Sequence, residues 1–111
     1  MLSFDGDSLV VGRKSFRMAH PVKDAFTVAA LVIVLFDADS VTNKFGQFAN
    51  LIAIDPLTGD QVWEAELPST TTGDHYYKVA SHDPLIAYSV QSFVCTIDAT
   101  TGKITDKEFV K

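Results

Sequence analysis

The feature that most constrains the fold is an internal repeat. Ala53–Asp60 and Thr96–Lys103 share Ile, Asp, Thr and Gly at matching positions, 43 residues apart. In each copy the Asp side chain can accept hydrogen bonds from backbone N–H groups two or three residues further on, and the Gly can adopt the positive φ of a tight turn. Each copy lies between segments with the composition of β-strands. The repeat therefore predicts two equivalent strand–turn–strand units.

Strand signals dominate the remaining sequence. Leu31–Phe36 is apolar on both faces, which predicts a strand that is covered on both sides. Segments 85–90 and 93–98 are separated by two residues, which predicts a hairpin. Only residues 21–30 have the composition of a helical turn. Further strands are predicted at 15–20, 61–67, 76–81 and 104–110, with a hairpin around Asp5–Asp7. The predicted fold class is all-β.

The repeat has the size of one four-stranded β-propeller blade. Asn50–Glu64 resembles the blade motif of the PQQ-like (quinoprotein-type) propellers, in which Thr-Gly forms the turn and the fourth strand carries a docking Trp, here Trp63. The second copy has Thr105 or Asp106 where that Trp would stand. The resemblance covers 76–110 more loosely. It implies two four-stranded antiparallel blade-like sheets, packed as a half-propeller or sandwich.

The chain length limits what such blades can do. With 111 residues we expect a single domain, in which an N-terminal hairpin and a first blade occupy about 1–67 and a second blade about 76–110. Two blades cannot close a ring around a central cofactor channel, so a quinone-dependent dehydrogenase is excluded. We expect no cofactor and no metal.

Composition narrows the class of partner. Nine basic against fourteen acidic residues give a net charge of −5, which argues against direct nucleic-acid binding and favours a partner with a basic surface. The longest apolar run, 25–36, is shorter than the roughly 20 residues of a membrane-spanning helix. The N-terminus lacks the features of a secretory signal. We therefore expect a cytoplasmic protein without a membrane partner.

The side chains that could perform catalysis do not form a recognisable arrangement. The three histidines have no metal-ligand spacing. Cys95 alternates with Phe93 and Ile97 on one strand face, which predicts a buried thiol rather than a nucleophile. Glu64 and Glu66 share a strand face, which is typical of a solvated surface. We predict that the protein is not an enzyme.

Long loops point to a binding site. In an up-and-down sheet, residues 37–48 and 68–75 and the turn at 91–92 lie at the end opposite the Thr-Gly turns. Loops gathered at one end of a rigid scaffold are where binding residues concentrate. The predicted partner-binding residues are acidic or polar, with two aromatic anchors: Asp37, Asp39, Asp74 and His75, with Phe45 and Tyr76.

Three function classes remain. In size, acidity and lack of catalytic motifs the chain resembles the bacterial immunity proteins of contact-dependent growth inhibition and other polymorphic toxin systems. That resemblance implies a protein–protein interaction with a cognate toxin, commonly a nuclease, which is neutralised through the acidic loop face. The alternative is a propeller-like scaffold or peptide-binding module that oligomerises to complete a ring. An enzyme of unrecognised type is the third class.

Overall fold

The computed structural model of the protein describes residues 2–38 and 46–110. These residues form strands and no α-helix, and within them no helix is long and apolar enough to cross a membrane. The eleven strands are β1 (Leu2–Asp5), β2 (Ser8–Val11), β3 (Lys14–Arg17), β4 (Val22–Val28), β5 (Leu31–Phe36), β6 (Leu51–Ile54), β7 (Gln61–Glu64), β8 (Tyr76–Ser81), β9 (Leu85–Ser89), β10 (Phe93–Ile97) and β11 (Ile104–Phe109).

The strands form three antiparallel sheets. The N-terminal sheet contains β1–β3, the central sheet β4–β7 and the C-terminal sheet β8–β11, and in each sheet the strands pair in sequence order. The all-β class and the two four-stranded sheets are therefore confirmed. The central sheet packs between the other two, because one hydrophobic cluster joins it to the N-terminal sheet and another joins it to the C-terminal sheet.

Strand β5 shows how the sequence produces this layering. Ile33 and Leu35 belong to the cluster shared with the C-terminal sheet, whereas Val32, Val34 and Phe36 belong to the cluster shared with the N-terminal sheet. Successive side chains of a strand point to opposite faces, so a continuous apolar run is needed where both faces are covered. The prediction for this strand is confirmed.

The two repeat copies form equivalent turns between the third and fourth strands of their sheets. Asp55 Oδ1 accepts a hydrogen bond from Leu57 N–H at 2.8 Å, and Asp98 Oδ1 accepts one from Thr100 N–H at 2.9 Å. Thr100 also donates its hydroxyl to Asp98 Oδ1, and these bonds lower the pKa of Asp98. The glycines of the two turns have φ values of 78° and 77°. The turn prediction is confirmed.

Each turn glycine receives an aromatic ring from the preceding sheet. Trp63 of β7 packs on Gly102 and donates its indole N–H to Ala99 O at 2.9 Å. Phe16 of β3 packs in the same way on Gly59 of the central sheet. Trp63 is buried between the two four-stranded sheets. The same device therefore joins both pairs of neighbouring sheets.

The Phe16 contact predicts unequal effects of two glycine substitutions. Gly6→Ala and Gly59→Ala both place a side chain at positive φ, which costs about 1–2 kcal/mol. A Cβ on Gly59 would also lie 2.5 Å from a ring carbon of Phe16, whereas Gly6 faces open space. We expect Gly59→Ala to be less stable by a further ~1–3 kcal/mol in urea unfolding. Equal midpoints for the two variants would contradict the contact.

Three elements differ from the expectations drawn from the sequence. Residues 21–30 contain no helical turn, because Val22–Val28 pairs with β5 as a full strand. The N-terminal segment is a separate three-stranded sheet, so the predicted unit 1–67 holds two sheets. The strand predicted at 61–67 ends at Glu64, since Glu66 leaves the central sheet and donates its N–H to Gly102 O.

Candidate functional site

The loop end is the end of the molecule opposite the two Thr-Gly turns, and the connections β5–β6, β7–β8 and β9–β10 meet there. Phe48 N–H donates to Asp74 O at 3.1 Å, and Val90 N–H donates to His75 O at 3.0 Å. These bonds tie all three connections together. The predicted gathering of loops is therefore confirmed for their described residues.

Asn50 anchors the loop end to both four-stranded sheets. Its amide nitrogen donates to Phe36 O at 3.0 Å and to Tyr76 O at 2.6 Å, and its amide oxygen accepts from Tyr76 N–H at 2.8 Å. The side chain is fully buried. It thus pairs with the backbone of β8 much as a neighbouring strand would. Sequence analysis did not identify this residue.

Two of the predicted partner-binding residues, Asp74 and Tyr76, are buried, so they are not surface contacts in this structure. Asp74 is 0% exposed, and its Oδ2 accepts the Ser69 hydroxyl at 2.7 Å. Tyr76 is 1% exposed and donates its hydroxyl to Glu66 O, and burial raises the pKa of this tyrosine. Both side chains hold the loop connection from inside. In this conformation neither reaches a partner.

Two other predicted residues meet in a small cleft. Asp37, His75 and Lys23 line a space of about 170 Å³ at the loop end. Lys23 donates its ammonium to Tyr77 O at 2.8 Å, so a cation from the first strand of the central sheet lies beside the acidic residue. The remaining predicted residues, Asp39 and Phe45, lie outside the described residues. The described part of the loop end is therefore a mixed-charge cleft.

Exposed acidic residues concentrate elsewhere, along the fourth strands of the two four-stranded sheets. Glu66 links these strands, because its Oε1 accepts a hydrogen bond from Ile104 N–H at 2.9 Å. An open groove of about 480 Å³ lies between Glu66 and Leu67 of the β7–β8 connection and the first residues of β11, and two lysines, Lys103 and Lys107, accompany the acids. We call the exposed acids of this region the acidic edge: Asp60, Glu64, Glu66, Asp106 and Glu108.

The outer face of the C-terminal sheet carries an aromatic patch, formed by Tyr77, Tyr88, Val94 and Val110. These residues line a depression of about 270 Å³, and the rings of the two tyrosines are 6.2 Å apart. Tyr77 is 43% exposed and also lines the cleft at the loop end. The patch and the cleft therefore form one continuous surface. The sequence contained a signal for this patch. Residues 85–90 and 93–98 alternate between two strand faces, and only one of those faces was assigned to the core.

The thiol of Cys95 is buried beside Tyr76, as the sequence predicted. Burial raises the pKa of Cys95. A raised pKa leaves little thiolate at neutral pH. We expect Cys95 to resist a disulfide reagent at pH 8 in the native protein and to react fully in denaturant. Rapid native labelling would contradict this packing.

The fold defines the molecule as an all-β domain of three stacked antiparallel sheets. Residues 1–109 match the family described as "Domain of unknown function (DUF7957)", and the chain belongs to that family. No protein of curated function and no solved structure matches the chain.

Proposed function

We propose that the three sheets are consecutive propeller-type blades arranged as an open partial propeller. Three features support this arrangement. Each sheet is a meander, an aromatic residue of the last strand packs on the turn glycine of the next sheet, and this contact occurs twice. The two four-stranded sheets also shift their pairing register at equivalent positions, Val62 and Thr105. The half-propeller expected from the repeat thus gains one further blade.

We propose further that this domain is a non-enzymatic binding protein, and specifically an immunity protein that neutralises a cognate bacterial toxin with a basic surface. The observation that carries the proposal is the acidic edge. It presents five carboxylates against two lysines, and Lys107 donates its ammonium to Pro68 O. A surface with an excess of negative charge attracts a basic partner at long range and accelerates association.

The acidic edge replaces the loop end as the proposed contact surface. Asp74 is internal, and Asp37 shares its cleft with the cation of Lys23. Glu64 and Asp106, in contrast, are exposed on neighbouring fourth strands. Such a surface could cover the basic cleft of a nuclease where nucleic acid would otherwise bind.

A charge-matched pair of triple variants tests this proposal. Asp60→Asn, Glu64→Gln and Asp106→Asn remove three charges from the acidic edge. In the control, three charges are removed elsewhere by Asp5→Asn, Asp7→Asn and Asp83→Asn. The proposal requires that the gene directly preceding this one encodes a toxin, and the toxin domain of that product is the probe. We expect association with the edge variant to be about tenfold slower and less salt-dependent, with little change for the control.

Two results would overturn the proposal. One is equal slowing by both triple variants, which would assign the effect to net charge rather than to the acidic edge. The other is failure of the wild-type protein to rescue growth of a bacterial host that produces the active toxin. A catalytically disabled toxin provides the binding probe, so that kinetics and rescue are measured independently.

A second candidate function is a scaffold that oligomerises, and the aromatic patch favours it. Completion of a ring requires the C-terminal sheet of one copy to receive the N-terminal sheet of the next. The docking position on β11 is occupied by Asp106, where the central sheet has Trp63. A carboxylate cannot form the ring-on-glycine contact that joins the other sheets. This difference makes ring completion the weaker candidate.

A further inference from the structure

The two outermost sheet faces of the stack differ in chemistry. The outer face of the N-terminal sheet presents mainly polar side chains, including Ser8, Ser15 and Arg17, around a single Val10. The outer face of the C-terminal sheet carries the aromatic patch instead. Stacked repeats end in polar faces where they meet water, and exposed apolar patches mark interaction sites. The N-terminal sheet is therefore a cap, and the C-terminal sheet is not.

The outer strands of the two four-stranded sheets are poorly suited to pairing with further strands. The register shifts in each of them, at Lys23 in β4, Val62 in β7, Tyr77 and Ala80 in β8, and Thr105 in β11. Bulges and charged residues protect sheet edges from strand addition. An association of this domain through the C-terminal sheet therefore uses its face.

One row of that face has opposite charges at its two ends. Cross-strand pairing aligns Lys78, Tyr88, Val94 and Glu108 in a line across β8–β11. The ammonium of Lys78 lies 5.9 Å from the centre of the Tyr88 ring, and Glu108 is exposed on the edge strand. The row therefore has a cation at one end, an aromatic and an aliphatic side chain in the middle, and an anion at the other end.

We propose that this face binds a second copy of the same chain, in a two-fold dimer whose axis runs parallel to the strands. Such an axis places β8 of one copy opposite β11 of the other, so Lys78 faces Glu108 twice and Tyr88 faces Val94 twice. In the next row Ser81 faces Asp106, so a hydroxyl that can donate a hydrogen bond lies opposite the carboxylate. The face is complementary to itself.

Other arrangements of two copies lack this complementarity. A two-fold axis across the strands places β11 opposite β11, which brings Asp106 and Glu108 near the same acids of the second copy. Head-to-tail stacking places the aromatic patch against the polar outer face of the N-terminal sheet. Like charges and uncompensated polar groups disfavour both arrangements. The charges therefore select one axis.

The face is small for a stable protein–protein interface. Four strands spaced about 4.8 Å apart, with about 3.3 Å per residue, give a flat footprint of roughly 300 Å². A standard interface buries about 800 Å² on each partner. We therefore expect a reversible dimer whose population rises with concentration, and sedimentation velocity from about 5 to 500 μM covers the range in which such weak complexes form.

Matched valine substitutions locate the interface. Val94→Asp places a charge in the middle of the aromatic patch, and Val10→Asp places the same charge in the middle of the N-terminal sheet's outer face. Wild type and Val10→Asp should shift from 12.1 kDa towards twice that mass as concentration rises. Val94→Asp should dimerise at least about tenfold more weakly. A wild type that stays monomeric at the highest concentration, or a dimer disrupted only by Val10→Asp, overturns the proposal.

A charge reversal tests the axis. Lys78→Glu alone puts like charges together and should weaken the dimer about tenfold, and combining it with Glu108→Lys should restore the affinity. Circular dichroism checks that these exposed substitutions leave the fold intact. No recovery in the double variant, or assemblies larger than a dimer, would contradict the two-fold arrangement. Asp106 and Glu108 belong to both the dimer face and the acidic edge, so a dimer and a bound toxin compete for these residues. Toxin binding is therefore measured at concentrations at which the protein is monomeric, so that the two proposals can fail independently.

Discussion

Replacing Trp63 with Ala is expected to lower the free energy of unfolding by about 3–5 kcal/mol. The indole is 7% exposed, lies between the central and C-terminal sheets and packs on Gly102. Its removal leaves a cavity at this junction and breaks the hydrogen bond to Ala99 O. Typical domains are stable by only ~5–15 kcal/mol, so the midpoint of equilibrium urea unfolding should fall steeply.

Two further variants separate the contributions to this effect. Phe109→Ala removes an aromatic ring that is 59% exposed on the edge strand, and we expect a change within about 1 kcal/mol. Trp63→Phe keeps a ring on Gly102 but loses the indole N–H, so we expect a loss of ~1–3 kcal/mol from the unpaired carbonyl and the smaller ring. If Trp63→Ala unfolded at the same midpoint as Phe109→Ala, the ring-on-glycine contact would not join the sheets.

Local chemistry made the turns and the central strand predictable from sequence. Asp55 and Asp98 bond to backbone groups only two residues away, so the turn is encoded within a few positions. Leu31–Phe36 needs only its own composition to indicate two covered faces. Features of this kind can be read without knowing the partner strands.

Strand β4 was not predicted from sequence, because its pattern of apolar residues is irregular. Register shifts at Lys23, so Val22 and Ala25 contact the N-terminal sheet while Phe26 and Val28 contact the C-terminal sheet. A bulge of this kind interrupts the alternation that identifies a strand. Residues 21–30 therefore resembled a helical turn, although pairing with β5 decides their conformation.

The candidate site was predictable only in outline, because the burial of its residues depends on distant segments. Asp74 lies in a polar loop that reads as solvated, yet Ser69 donates to it and the surrounding connections cover it. Tyr76 opens a strand, and its exposure is set by Asn50, which is 26 residues away. The topology predicted that the loops meet at one end of the molecule. It did not predict which side chains of those loops point inward and which point to solvent.

Asn50→Leu is expected to lower the free energy of unfolding by at least about 3 kcal/mol. Leu has the same number and branching of side-chain heavy atoms as Asn but bulkier methyl groups, so no cavity forms and the loss comes from hydrogen bonding and from crowding at this buried position. Phe36 O, Tyr76 O and Tyr76 N–H all lose their side-chain partner at a fully buried position. Each buried polar group left unpaired costs about 1–3 kcal/mol. Urea unfolding measures the total.

Gln47→Leu is the matched control, because Gln47 also donates its amide to two backbone carbonyls of the loop end, but nearer to solvent. Water replaces those bonds, so we expect a loss below about 1 kcal/mol. Native-state hydrogen exchange adds a test of location. Asn50→Leu should accelerate exchange at Tyr76, whereas Trp63→Ala should do so around the 98–102 turn, because the two residues join the same pair of sheets at opposite ends. Equal losses for Asn50→Leu and Gln47→Leu, or uniform acceleration in both core variants, would show that these ends do not open separately.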